Sequence, residues 1–309
     1  MTINEHVTQF AGLPVAEFDP SVDSPADPTA VAWRLSTDDD SGKEPFYERL
    51  DAFLGMPWVS GVRALVIGEW GESYETVFPV ERFVAAADRL TSLAAIFVGE
   101  MTSEENEISW IQSTDLTPLL TAYPALQTLR ARGGAGLMIQ PGRYPELRSL
   151  AFEAGGLDAG TVAAVAESEF PRLNQLELWL GTANYGGDAT VDDLGPILSG
   201  VRLPALASLG LRDAEIADAV AAALAGAPVV GRVKTLDLSL GMLTDAGAAA
   251  LLAGQPLTHL TRLDLHHHFL SEDMIARVRD ELEPAGVEVD LSDAKGTDDE
   301  DRRFIAVAE

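Results

Sequence analysis

Residues 236–265 read LDLSLGMLTDAGAAALLAGQPLTHLTRLDL. The segment opens and closes on the same apolar pattern, which in full is L-x-x-L-x-L. Leu260, Leu263 and Leu265 fit it, as do Leu206, Leu209 and Leu211, and Leu173, Leu176 and Leu178. Val233, Leu236 and Leu238 fit with one substitution, and looser copies begin at Val62, Leu93, Leu126 and Leu147. The eight copies recur every 21 to 33 residues. Alternating apolar residues mark a strand with one buried face. Pro124, Pro145, Pro171 and Pro204 each stand two residues before a copy, where proline stops a helix and presets extended backbone.

The stretches between copies carry apolar residues at three- and four-residue spacing, which predicts helices near 80–90, 159–168, 216–224, 245–253 and 271–282. Ser271, followed by Glu272 and Asp273, has the chemistry of an N-cap, and Thr244 can cap the helix that starts at Asp245. Each unit is therefore strand, loop, helix, loop. One unit cannot bury its own apolar face, but stacked units share a continuous core. The expected fold is an α/β leucine-rich-repeat solenoid, a curved horseshoe. About ten parallel strands would form its concave face and helices its convex face. Trp33 and Leu35 give the first strand; Val287, Val289 and Leu291 give the last.

Residues 236–265 resemble the helical repeats of the ribonuclease-inhibitor type. The stretches ISWIQSTDLTPLLTAYPAL (108–126) and LTRLDLHHHFLSE (260–272) resemble a bacterial, actinobacterial, family of uncharacterised leucine-rich-repeat proteins. The resemblance implies the fold. For function it implies at most an accessory role beside radical-chemistry and ligase-like enzymes.

Three segments are expected: a cap with a first irregular repeat (1–57), the solenoid (58–292) and an acidic tail (293–309). Four prolines among acids make residues 1–30 read as irregular. In the tail an acidic stretch (293–301) precedes Arg302-Arg303-Phe304-Ile305-Ala306-Val307. That apolar hexad either docks back on the solenoid edge, stays unordered, or serves a partner as a peptide.

Composition narrows the function. The 309 residues include 21 Lys and Arg against 49 Asp and Glu, a formal charge of −28, which argues against a polyanionic partner such as nucleic acid. There is no cysteine, hence no disulfide and no thiolate chemistry. No stretch is apolar enough to span a bilayer, and the N-terminus lacks the pattern of a signal peptide. The expectation is a cytoplasmic protein without a cofactor. A P-loop, a G-x-S-x-G elbow, an H-E-x-x-H pair and a dinucleotide fingerprint are all absent from the sequence. Asp38-Asp39-Asp40-Ser41-Gly42 has the glycine one place early for a calcium loop and reads as an acidic turn.

Strand alternation assigns the outward columns. One column reads Val66, Phe97, Arg130, Ala151, Glu177, Gly210, Asp237 and Asp264; the next reads Gly68, Gly99, Arg132, Glu153, Trp179, Arg212, Ser239 and His266. Early repeats are small and apolar there, late ones charged. Trp179 beside Glu177 and Arg212 is either a recognition hot spot or a ring lying flat, paired locally. Asp237, Asp264, His266 and His268 form either a partner-facing patch, a structural polar ladder, or a divalent-metal site centred on Asp264, His266 and His268. Loops after the strands carry Trp70, Tyr74, Trp110 and Tyr185 with Glu69, Glu100, Glu104, Glu105 and Asp188. Such a rim suits a protein or peptide, basic in character. The expected function is non-catalytic binding through Trp179, Glu177, Arg212, Asp237, Asp264, His266 and His268 on the wall and Trp70, Trp110 and Tyr185 on the rim. The sequence does not fix the oligomeric state.

Overall fold

A computed structural model describes residues 3–21, 27–37, 43–297 and 302–309. The acidic turn at 38–42 and residues 298–301 of the acidic tail lie outside the described residues. Among the described residues, twelve strands follow one another in chain order through the sheet. They are β1 (Gln9–Phe10), β2 (Leu13–Glu17), β3 (Ala32–Leu35), β4 (Ala64–Ile67), β5 (Ala95–Val98) and β6 (Thr128–Arg132), then β7 (Ser149–Glu153), β8 (Gln175–Gly181), β9 (Ser208–Ala214), β10 (Thr235–Asp237), β11 (Arg262–Asp264) and β12 (Glu288–Asp290). The first pair is antiparallel; the others whose register is described are parallel. The ten strands from β3 onward are those the repeats predict. The chain is an α/β leucine-rich-repeat solenoid. Its contacts group into two units, residues 2–140 with 146–152, and residues 141–145 with 153–308.

In the N-terminal unit the helices are α1 (Lys43–Leu54), α2 (Val80–Ala85) and α3 (Thr117–Ala122). Helix α1 was not anticipated within the irregular cap. It brings Phe53 into a cluster of rings with Phe18, Trp33 and Trp58, in which the two indoles stack at 4.9 Å. The hairpin β1–β2 is the other unanticipated element. Phe10 from it joins Ala32, Ala64, Val66, Ala95 and Phe97 in one buried cluster, with Val7, Leu13 and Val15 packed against it. The apolar outward column of the early repeats is thus a second core. The N-terminal segment covers it, because Val66 and Phe97 facing water would forgo about 1.5–3 kcal/mol each.

The C-terminal unit contains α4 (Ala159–Glu167), α5 (Gly195–Ser199), α6 (Ala217–Leu224), α7 (Asp245–Leu252) and α8 (Glu272–Leu282). The repeat leucines Leu176, Leu178, Leu209, Leu211, Leu236, Leu238 and Leu263 are all buried. Both expected caps form: Thr244 accepts from the Ala246 N–H and Ser271 from the Met274 N–H. An acid from the preceding helix holds each cap in turn. Asp218 accepts from the Thr244 N–H and hydroxyl, and Asp245 from those of Ser271. Ser271→Ala removes the cap acceptor of the last helix and is expected to cost about 1 kcal/mol, read as a shift of the urea midpoint at unchanged slope.

Candidate functional site

The outward face of the C-terminal unit carries a chain of ion pairs that crosses its strands. The register places Glu177 beside Gly210, Trp179 beside Arg212, and Asp237, Asp264 and Asp290 side by side on β10, β11 and β12. Gly210 leaves room over β9 for Arg212. The Arg212 Nη1 donates to Glu177 Oε1 at 2.7 Å, and its Nε lies 3.3 Å from Asp237 Oδ2 and donates to Ser239 Oγ at 2.9 Å. Arg262 repeats the device two strands on. Its Nη2 lies 2.8 Å from Asp264 Oδ2 and 3.0 Å from Asp290 Oδ2, while Nη1 pairs with Glu288.

These pairs set the protonation states. Burial opposes the charge of Arg212, yet Glu177 and Asp237 hold its pKa above the ordinary arginine value. Burial pushes the Asp237 carboxyl up, and Arg212 draws it partly back. At Asp264 burial is outweighed by hydrogen bonds from His266 and Arg262, so the carboxyl lies well below the usual range. The same contact, His266 Nδ1 to Asp264 Oδ1 at 2.7 Å, raises the His266 pKa and favours the imidazolium. The side chains stay partly exposed, from Asp264 at 10% to Glu288 at 65%.

Several expected site residues are placed otherwise. Trp179 is only 5% exposed. Its indole N–H donates to Glu177 Oε1 at 2.7 Å, and the Arg212 guanidinium stands 5.3 Å from its ring. The ring is the locally paired one, not an open hot spot. Trp70 is wholly buried; its N–H donates to the Thr76 carbonyl at 2.7 Å and its ring packs edge-on to Phe78. Tyr185 is half-buried on a short turn (Ala183–Tyr185), whereas Trp110 is 56% exposed. Glu69 and Glu100 do not supply surface charge either: Glu69 accepts from the N–H and hydroxyl of Ser73, and Glu100 is buried against Arg34.

His268 departs furthest from its expected place on the wall. Strand β11 ends at Asp264, and His267 takes a left-handed backbone with φ of 56°, which breaks the alternation. His268 is thereby buried, with Nε2 3.1 Å from the Leu291 carbonyl and Nδ1 accepting from the Leu270 N–H; burial lowers its pKa. Among the described residues, the group that could gather round a metal is Asp264, His266 and Asp290, with ligand atoms within 4.8 Å of one another. Arg262 already lies between both carboxylates and supplies the positive charge that a cation would bring. Neither Arg262 nor Asp290 was among the expected site residues. Both could have been read from the columns, because Arg262 precedes Asp264 by two and Asp290 follows in the last strand.

No family model matches the chain, and no curated protein matches it. Among solved structures the chain is similar to a Bacteroides fragilis protein determined as a structural-genomics target. The two share 28% identity at a TM-score of 0.78, over 88% of this chain and 76% of that one. An internalin from Listeria monocytogenes matches at 13% identity and a TM-score of 0.36, over 85% of this chain and 68% of that one. TLR13 in its complex with ssRNA13 matches at 15% identity and a TM-score of 0.43, over 86% of this chain and 33% of that one. Among the described residues no helix is long and apolar enough to cross a membrane.

The N-terminal unit holds a separate polar cavity of about 360 Å³ that the repeat columns do not reveal. Arg34, Arg49, Glu17, Glu104 and Glu105 line it. Arg34 donates from Nε to Glu100 Oε2 at 2.8 Å and from Nη2 to the Glu100 carbonyl at 3.0 Å. The Val7 N–H donates to Glu100 Oε1 at 2.8 Å, so the same carboxylate fastens the N-terminal segment. Burial opposes the Arg34 charge, but the Glu100 hydrogen bond raises its pKa above the ordinary value.

Proposed function

We propose that the chain is a non-catalytic binding protein that takes a protein or peptide partner, basic in character, on the strand face of its C-terminal unit. The observation that carries this reading is the stacking of Asp237, Asp264 and Asp290 in register on three adjacent parallel strands. Like charges at that spacing repel. Glu177 and Glu288 bring the carboxylates of the patch to five, against Arg212, Arg262 and the His266 imidazolium. A lysine or arginine from a partner relieves the excess. The acids are already fixed by their internal ion pairs, so binding orders few side chains. Trp110, exposed on the N-terminal unit, is a second contact candidate. A helper role in a multi-protein pathway is consistent with this reading and adds no residue to it.

The test uses a fluorescent arginine-rich peptide titrated with the protein at low salt. Asp237→Asn with Asp290→Asn is expected to weaken binding about tenfold, at roughly 0.5–1 kcal/mol for each partly exposed pair. Raised salt should weaken the wild-type complex in parallel. Undiminished binding by the double variant at an unchanged melting temperature would remove the acid column from the site.

A further inference from the structure

Asp213, Leu240 and His267 each stand four residues beyond the register partners Leu209, Leu236 and Leu263, and so hold equivalent places in three successive repeats. All three have left-handed backbone, with φ of 50°, 69° and 56°, and none is glycine. Such a conformation is strained for a side chain with a Cβ and persists where the surroundings enforce it. Their N–H groups donate onward to the next repeat, to the carbonyls of Ser239, His266 and Ser292. The Asp213 carboxylate, the Leu240 carbonyl and the His267 ring remain on the edge.

The C-terminal residues lie on these three groups. The Ala306 N–H is shared between the Leu240 carbonyl at 2.8 Å and Asp213 Oδ1 at 3.1 Å. The Val307 N–H donates to the same Oδ1 at 3.0 Å. His267 Nε2 lies 3.1 Å from the Phe304 carbonyl. Ile305 and Val307 are buried, while Phe304 is half open with its ring edge-on to His267 and Phe269. The segment bends at Ala306, inserts Ile305 and Val307, and is held by its main chain. That is how grooves read peptides.

Among the described residues, the hydrogen bonds of the Asp213 side chain go to the C-terminal segment and not to the repeats. Asp213 is fully buried, its side-chain hydrogen bonds go to Ala306 and Val307, and Oδ2 has no hydrogen-bond partner among the described residues. Burying a carboxyl with half its capacity unused is costly. The group fits a recognition element for two successive backbone N–H groups at a bend. We propose that the Asp213–Leu240–His267 edge is a docking groove for an apolar peptide of another protein. The peptide would present aromatic, aliphatic, small and aliphatic residues in that order, and residues 304–307 are the resident occupant that it displaces. A grip on two N–H groups and one carbonyl is transferable to any chain with those side chains. The short connection after β12 keeps the resident segment at a high local concentration, so it masks the groove until a tighter ligand arrives.

The probe is a fluorescent peptide of residues 302–309, Arg-Arg-Phe-Ile-Ala-Val-Ala-Glu, titrated with full-length protein and read by anisotropy. Ile305→Asp with Val307→Asp empties the groove in cis and should raise apparent affinity at least about tenfold over wild type. Asp213→Ala added to that variant should abolish binding. Equal binding with and without Asp213 overturns the proposal, as does no binding to the emptied groove in a variant that keeps the wild-type circular dichroism. If the emptied variant does not fold, hydrogen exchange on the wild-type protein decides. Excess peptide should lower protection at the Ala306 and Val307 amides and leave the Leu209 and Leu236 amides unchanged, and unaltered protection overturns the proposal.

Discussion

Glu100→Ala is expected to destabilise the N-terminal unit by about 3–5 kcal/mol, the cost of leaving a buried charge without its partner. Glu100 is fully enclosed, and Arg34 is nearly so. The carboxylate takes the Arg34 Nε and the Val7 N–H at 2.8 Å each and stands 3.1 Å from His6 Nδ1. Truncation strands the guanidinium, orphans a backbone donor and unfastens the segment that covers Val66 and Phe97. Glu17 and Glu105 lie within 3.4 Å of Arg34 but are far more exposed, and exposed pairs contribute about 1 kcal/mol or less. Glu100→Gln keeps an acceptor for Val7 while losing the charge, so it should fall between wild type and alanine. Urea unfolding followed by tryptophan fluorescence measures the difference, since Trp33, Trp58, Trp70 and Trp110 all belong to this unit. A loss below about 1 kcal/mol would show that water or the neighbouring acids satisfy Arg34 after truncation.

The repeat was legible because a strand of period two and a helix of period 3.6 leave their marks within a few residues. Leu209, Leu236 and Leu263 therefore pair as their spacing predicts. The outward columns followed from the same alternation and correctly set Asp237 beside Asp264. They failed at His268, because a left-handed His267 is a backbone event that its own side chain does not announce. Trp179 and Trp70 failed for another reason. A column says which way a strand residue points, not that Arg212 from the next strand lies over Trp179, and no column describes the loop on which Trp70 turns in against Phe78. The hairpin β1–β2 has two- and five-residue strands, too short for periodicity to register. Its need was readable even so. Val66 and Phe97 in an outward column are an apolar surface, and something had to cover it. The tail gave the matching signal from the other side: an apolar hexad after an acidic stretch has no reason to stay in water, and Ile305 and Val307 are indeed buried.

Raising pH from about 6.5 to 8 is expected to loosen the C-terminal segment by roughly 2 kcal/mol, and Asp213→Asn should abolish the effect. Burial pushes the Asp213 carboxyl up to about 8. Release of the segment returns it toward its ordinary value of 3.8. A carboxyl raised in the docked state favours docking fully below the lower value, and that contribution is lost steadily as pH climbs to the higher one. The rate is about 1.4 kcal/mol per unit. His267 acts in the opposite sense. Burial lowers its pKa from the ordinary 6.5, so docking weakens as pH falls below that point. Below 6.5 the two groups act in opposite senses; above 6.5 only the Asp213 slope remains. Arg212 favours the Asp213 anion, while Lys295 and Asp293 act on His267 with opposite signs, so none of them reverses the direction. The apolar gain that opposes release, from Ile305 and Val307, is about 3–6 kcal/mol. A loss of 2 kcal/mol is therefore a large share of it, about a thirtyfold change in the docking equilibrium. Because the chain has no cysteine, one added after Glu309 can carry a single fluorophore. Its anisotropy should fall from pH 6.5 toward pH 8 in the wild type. In Asp213→Asn, whose amide oxygen still accepts from Ala306 and Val307, the fall should vanish. Identical profiles for the two proteins would mean that the Asp213 carboxyl does not control the latch.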